Sequence, residues 1–137
     1  MEIVMSFKPN SCDDIFNGKK RYEVRKTIPK NMKTNTKVYV YKSGSGGVVG
    51  EFIAKDAIKF PAILVKNGIH VPIILGDTCL TYSQLYDYVR NSKLFYEIEI
   101  EDPVIYETPI PLSEFGLKRP PQSWCYAKNK PVLKGYK

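Results

Sequence analysis

Gly18-Lys19-Lys20-Arg21-Tyr22-Glu23-Val24-Arg25 is a glycine followed by a run in which charges alternate with β-branched and aromatic side chains. Such a run reads as a strand, continuing to Lys26 and ended by Pro29. A two-residue period sets Arg21, Glu23 and Arg25 on one face and Tyr22 and Val24 on the other. The glycine in turn ends a helix. Pro9 sits near that helix's start, Asn10 or Ser11 is the expected N-cap, and Asp13 and Asp14 fall in its first turn, at the positive end of the dipole. Cys12, Ile15 and Phe16 form one apolar stripe at i, i+3 and i+4, and Gly18 takes the C′ position. Ile3 to Phe7 reads as a first strand ahead of the helix. A helix stop that feeds straight into a strand projects Lys20, Glu23 and Arg25 from a defined backbone. Arg21 and Arg25 either hold Glu23 between them or present guanidinium forks to a phosphate or carboxylate.

Downstream, Lys37 to Lys42 and Val48 to Ala54 read as strands joined by the turn Ser43-Gly44-Ser45-Gly46-Gly47. Gly50 inside the second marks a bulge or a close backbone approach. Tyr39 and Tyr41 alternate with Val38 and Val40, and the tyrosines are the expected exposed pair. Within residues 62–75, Asn67-Gly68 between apolar runs signals a β-hairpin, whose second strand Pro72 limits to an edge. Thr81-Tyr82-Ser83-Gln84 is a capping box with Leu80 and Leu85 as its staple. Tyr82, Leu85, Tyr86 and Val89 supply the stripe of a helix running as far as Arg90. Leu94, Tyr96, Ile98 and Ile100 then alternate with Phe95, Glu97, Glu99 and Glu101, the pattern of a half-buried strand. Pro109, Pro111, Pro120, Pro121 and Pro131 argue against long regular elements near the end. They leave one helical turn at Leu112 to Phe115 and a short strand at Ser123 to Ala127. The sum is an α+β domain, a small curled sheet or barrel with short helices.

The chain's 137 residues suit one compact domain over 1–137, and 43% apolar with 26% charged residues is globular composition. Its apolar runs, such as Val71 to Leu75, are far short of the ~20 residues of a membrane span, and no basic leader precedes an apolar stretch. A soluble, cytoplasmic protein is expected. Cys12, Cys79 and Cys125 are widely spaced and His70 is the single histidine, so no zinc or other metal site is expected. The glycine-rich turn matches no phosphate-cradling motif, and no cofactor is expected. The net charge of +7 is unevenly placed: residues 8–42 carry +7, residues 43–117 carry −5 and residues 118–137 carry +6. Two basic segments set side by side would make a face for a polyanion such as nucleic acid; set apart, they are a solvated lysine surface.

Gly18 to Arg25 resembles the G-x-K-x-x-E-x-R signature of the ASCH domain, a branch of the PUA-like fold. The resemblance extends through Val4 to Pro9, Val49 to Phe52, Pro111 to Leu117 and the closing Arg119-Pro120-Pro121-Gln122-Ser123-Trp124. It implies a PUA-like small β-barrel of mostly antiparallel strands with two or three short helices, and a cleft beside the first helix and the strand after it. The 62–75 hairpin would be an insertion. The resemblance also implies RNA or nucleotide binding, with a role in RNA metabolism or transcription coregulation. In a branch that deacetylates a cytosine nucleoside, a lysine at the Lys20 position is catalytic and a threonine stands where this chain has Glu23.

Three functions follow as expectations. In the first, RNA or a nucleotide binds a basic cleft: Lys8, Lys20, Arg25 and Arg119 meet phosphates, while Tyr41 and Trp124 stack bases, with Tyr39 and Tyr126 as further candidates. Glu23 lines that cleft, and Gln122 and Ser123 read a base edge from a loop stiffened by two prolines. In the second, a small amidohydrolase or ribonuclease-like hydrolase uses Lys20 and Glu23 to deprotonate a water. The third is a protein-interaction domain.

Overall fold

Strand β1 (Glu2–Phe7) is paired on both sides, parallel to β3 (Thr36–Lys42) and antiparallel to β6 (Trp124–Tyr126). A computed structural model describes residues 1–68 and 75–131, with β2 (Tyr22–Arg25), β4 (Gly47–Pro61) and β5 (Leu94–Pro111) completing one sheet. The strand order is β2-β5-β4-β3-β1-β6, and every pairing except β1–β3 is antiparallel. Helices α1 (Pro9–Phe16), α2 (Ile63–Lys66) and α3 (Tyr82–Val89) and 3₁₀ turns at Leu75–Thr78 and Leu112–Phe115 complete this α+β fold. The sheet is open, with no ladder between its margins β2 and β6. Side chains bridge them instead. Arg25 of β2 reaches Ser6 O of β1 and Ser123 beside β6, and Trp124 Nε1 donates to Thr27 Oγ1 at 3.1 Å.

Both faces of β3 are covered, which overturns the expected exposure of its tyrosines. Val38 and Val40 join Ile3, Met5, Phe52 and Ile98 under α1, while Tyr39 and Tyr41 join Val4, Tyr106, Ile110 and Phe115 on the opposite face. A third cluster (Val24, Ala62, Val65, Leu85, Val89 and Phe95) seals α2 and α3 against β2 and β5.

Gly50 lies at register shifts against both neighbouring strands, and a Cβ there would sit 2.4 Å from Phe16 Cζ and from Val104 O. The bulge and the close approach expected of this glycine are both present.

The helix starts differ in an instructive way. The expected capping box is formed: Thr81 accepts from Gln84 N, and Gln84 Oε1 accepts from Thr81 N. Only Leu85 and Val89 of the expected stripe are buried, because Tyr82 and Tyr86 turn outward. At α1 the N-cap is Lys8 rather than Asn10 or Ser11, with Pro9 at the first helical position. That shift moves Asp13 and Asp14 out of the first turn, and no side chain caps the start. Gly18 ends the helix at φ +84°, as expected.

Two expectations fail for tertiary reasons. Residues 63–66 form a helical turn, not the first strand of a hairpin, because that turn buries Ala62 and Val65 in the third cluster. The second expected strand, with His70 and Pro72, lies outside the described residues. Strand β5 runs for 18 residues through Pro103 and Pro109. Its polar-looking face is not free either: Phe95 is 1% and Glu97 1% exposed, since β2, α2 and α3 cover it.

Candidate functional site

Arg25 is the hub of the only side-chain cluster among the described residues in which three charges are buried together. Its Nε donates to Glu23 Oε2 at 2.6 Å, one NH group to Ser123 Oγ and O at 3.0 and 3.2 Å, and the other to Ser6 O at 2.7 Å. Four of its five N–H bonds thus end on protein acceptors, and its guanidinium lies 4.8 Å from the centre of the Phe7 ring. Glu23 Oε1 takes the Lys20 ammonium at 3.0 Å, and Lys20 Nζ also donates to Thr78 O at 2.7 Å. Lys20, Glu23 and Arg25 are 5%, 8% and 7% exposed. The trio carries one excess positive charge where water is scarce.

Local geometry explains why these residues meet. Gly18 turns the chain, Lys20 N is held by Asp14 O, and Arg21 N by Asp77 O, so Lys20 is delivered just ahead of β2. Alternation along β2 then brings Glu23 and Arg25 to the same side. Lys20, rather than Arg21, is Glu23's second cation; Arg21 is exposed.

The trio forms the floor of a cleft of about 600 Å³. One wall is the start of α1 with Lys8, Asn10 and Ser11, where the backbone N–H groups of the uncapped first turn also lie. The opposite wall is Thr78 to Leu80 with Gln84 and Tyr88 of α3. Gln122 and Ser123 close the end, on a loop fastened to β1 by Ser6 Oγ to Pro121 O (2.6 Å) and Ser6 N to Ser123 O (3.0 Å). The Lys26 ammonium sits 4.7 Å from the centre of the Tyr88 ring.

Desolvation, with Asp14 adding to it and Lys20 opposing it, raises the Cys79 thiol above its ordinary range. Burial likewise raises the Tyr88 hydroxyl, with Glu23 contributing.

Of the residues proposed from sequence, Lys8, Lys20, Glu23, Arg25, Gln122 and Ser123 line this cleft. Tyr41 does not: it is buried in the cluster on the other face of β3. Trp124 packs half-buried against the main core, and Arg119 is exposed outside the cleft. Tyr39 is buried with its hydroxyl on Glu2 at 2.6 Å, and Tyr126 is exposed away from the cleft. Glu51, a buried carboxylate that was not among the candidates, bonds Tyr106 and Lys37 outside the cleft. The sequence reading missed the wall from Thr78 to Tyr88. The one signal for it was the capping box, which announces α3 but not what α3 faces. No group of three or more metal-ligating side chains is gathered among the described residues. No helix of the described chain is long and apolar enough to cross a membrane.

The sheet order and the helices packed on it define an α+β domain built on one open six-stranded sheet. The particular fold is that of ASCH proteins. ASCH from Zymomonas mobilis superposes with a TM-score of 0.75 over 91% of this chain and 86% of that one, at 22% identity. A mutant form of the same protein gives 0.76 over 91% and 88%, at 21% identity. At such identities the likeness is one of fold. No protein-family model matches the sequence, and no curated protein matches it.

Proposed function

We propose that this chain binds RNA or a nucleotide in the cleft between α1, β2 and α3. The observation that carries the proposal is the excess positive charge buried at the cleft floor. Two of the three Lys20 ammonium protons are engaged by Thr78 O and Glu23, which leaves one for an electron-rich group of a ligand. Lys8 and the uncapped start of α1 offer positive charge for a phosphate. Tyr88 offers a ring to a base, and Gln122 and Ser123 offer polar groups to its edge. Arg25 follows the first of the two readings its place beside Glu23 allowed, holding that carboxylate. With four N–H bonds committed internally it fixes Glu23 and Ser123 rather than gripping phosphate. On this reading the protein takes part in RNA metabolism.

Fluorescence anisotropy of labelled single-stranded RNA tests it. Binding should weaken steeply with added salt, and Lys20→Ala should weaken it about tenfold or more at fixed salt. Unchanged affinity in Lys20→Ala at low salt would remove the cleft from consideration.

The 3.0 Å contact between Lys20 and Glu23 supports a second reading, hydrolysis of a modified nucleoside or of RNA, with the pair orienting and deprotonating a water. Mass spectrometry of RNA and of acylated nucleosides after incubation distinguishes the two. A product that disappears with Lys20→Ala makes the chain an enzyme; RNA retained without any product leaves it a binder.

A further inference from the structure

Glu97 has no part in the cleft, yet it is the most completely buried charged residue among those described, at 1% exposure. Neither carboxyl oxygen has a hydrogen-bond partner. Buried polar atoms are nearly always satisfied, so two orphans on one side chain call for an explanation. In the ladder Glu97 stands opposite Val24 of β2 and Ile58 of β4. Val24 and Phe95, its neighbours, belong to the apolar cluster that α2 and α3 complete. The titratable and charged groups on this side include, by strand alternation, Tyr22 and Lys26 flanking Val24, Glu99 on β5 and Asp56 on β4, with Tyr88 from α3 and Asp77 from the 3₁₀ turn packed on β2. Lys26 stands over Tyr88. With none of these groups bonded to it, burial alone pushes the Glu97 carboxyl up to about 7.

We propose that Glu97 is a proton-operated latch. As the neutral acid it lets β2 and the α2–α3 layer close dry over β5. As the carboxylate it draws water into that layer and loosens β2, and with β2 the Lys20–Glu23–Arg25 cluster.

The sign follows from the two states. An unfolded glutamate ionises near 4.5, the folded one near 7, so folding retains a proton between those values. Stability from this group is therefore intact below that window, falls as pH rises through it, and levels off above. Opening of the native layer accompanies ionisation near the upper end.

Hydrogen exchange read by mass spectrometry tests the latch without any ligand, so its outcome is independent of RNA binding. After correction for intrinsic exchange, peptides covering residues 21–27 and 82–90 of the wild type should lose about tenfold protection between about pH 5.5 and about pH 8.5, while those of β1 and β3 hold steady. Glu97→Gln, which keeps the shape without the charge, and Glu97→Met, which suits the apolar cluster, should each abolish the change. A flat wild-type profile, an equal loss in β1 and β3, or the same loss in a folded variant overturns the latch. Should both variants misfold, the wild-type contrast between β2 and β1 decides alone.

Discussion

Two carboxylates stand one register step apart on the β2–β5 ladder, on opposite faces: Glu23 opposite Ile98, and Glu97 opposite Val24. Both are more than nine-tenths buried. Glu23 has a cation on each oxygen, whereas Glu97 has no partner on either. Burial is thus common to both and the partners differ, so the partners decide what each group can do. On the paired face two cations meet the carboxylate and can face a ligand; the unpaired face stays dry only while a proton is bound.

Removing the pairing should have the largest effect. Glu23→Ala leaves Lys20 and Arg25 buried without a counter-charge and should lower unfolding stability by about 3–5 kcal/mol in urea titrations. A loss under about 1 kcal/mol would mean that water already screens the trio, as at exposed pairs, and would erase the contrast. Next comes the unpaired face. The stability of the wild type relative to Glu97→Gln should fall by about 3 kcal/mol as pH rises from 4.5 to about 7, because the unfolded carboxyl gives up its proton first. A pH-independent difference between the two proteins would show that Glu97 finds a partner. Arg25→Lys is the sharper probe of geometry. It keeps the charge but cannot reach Glu23, Ser6 O and Ser123 together, and should cost about 2 kcal/mol. The smallest effect belongs to Thr81→Ala. Losing the α3 cap should cost about 1 kcal/mol equally at every pH, separating a weakened layer from a titrating one.

The floor of the cleft was legible because it is local. Lys20, Glu23 and Arg25 fall within one helix stop and one strand, and the residue types announce the Glu23–Arg25 pair, although Arg21 and not Lys20 was the expected second cation. The far wall was not, since Thr78 and Tyr88 reach Lys20 and Lys26 across more than fifty residues of chain. The same divide runs through the fold. The Thr81 capping box and the Gly18 stop depend on immediate neighbours and are found where expected. The burial of Tyr41 and of Glu97 depends on what covers the second face of a strand, and alternation cannot report that. At Ile63 to Lys66, an Asn-Gly signal for a hairpin was overridden by a helical turn that buries Ala62 and Val65.

The side-chain bridge between the sheet's margins has a consequence for solubility. β2 offers four residues and β6 three, while the long strands β4 and β5 are interior in the strand order. Short margins give a second molecule little backbone to template on. Arg25, itself on β2, ties that margin to the other one through Ser6 of β1, the strand paired with β6, and through Ser123 just ahead of β6. A chain that lost this arginine would free two sticky borders together, and self-association at high protein concentration would be its first visible defect.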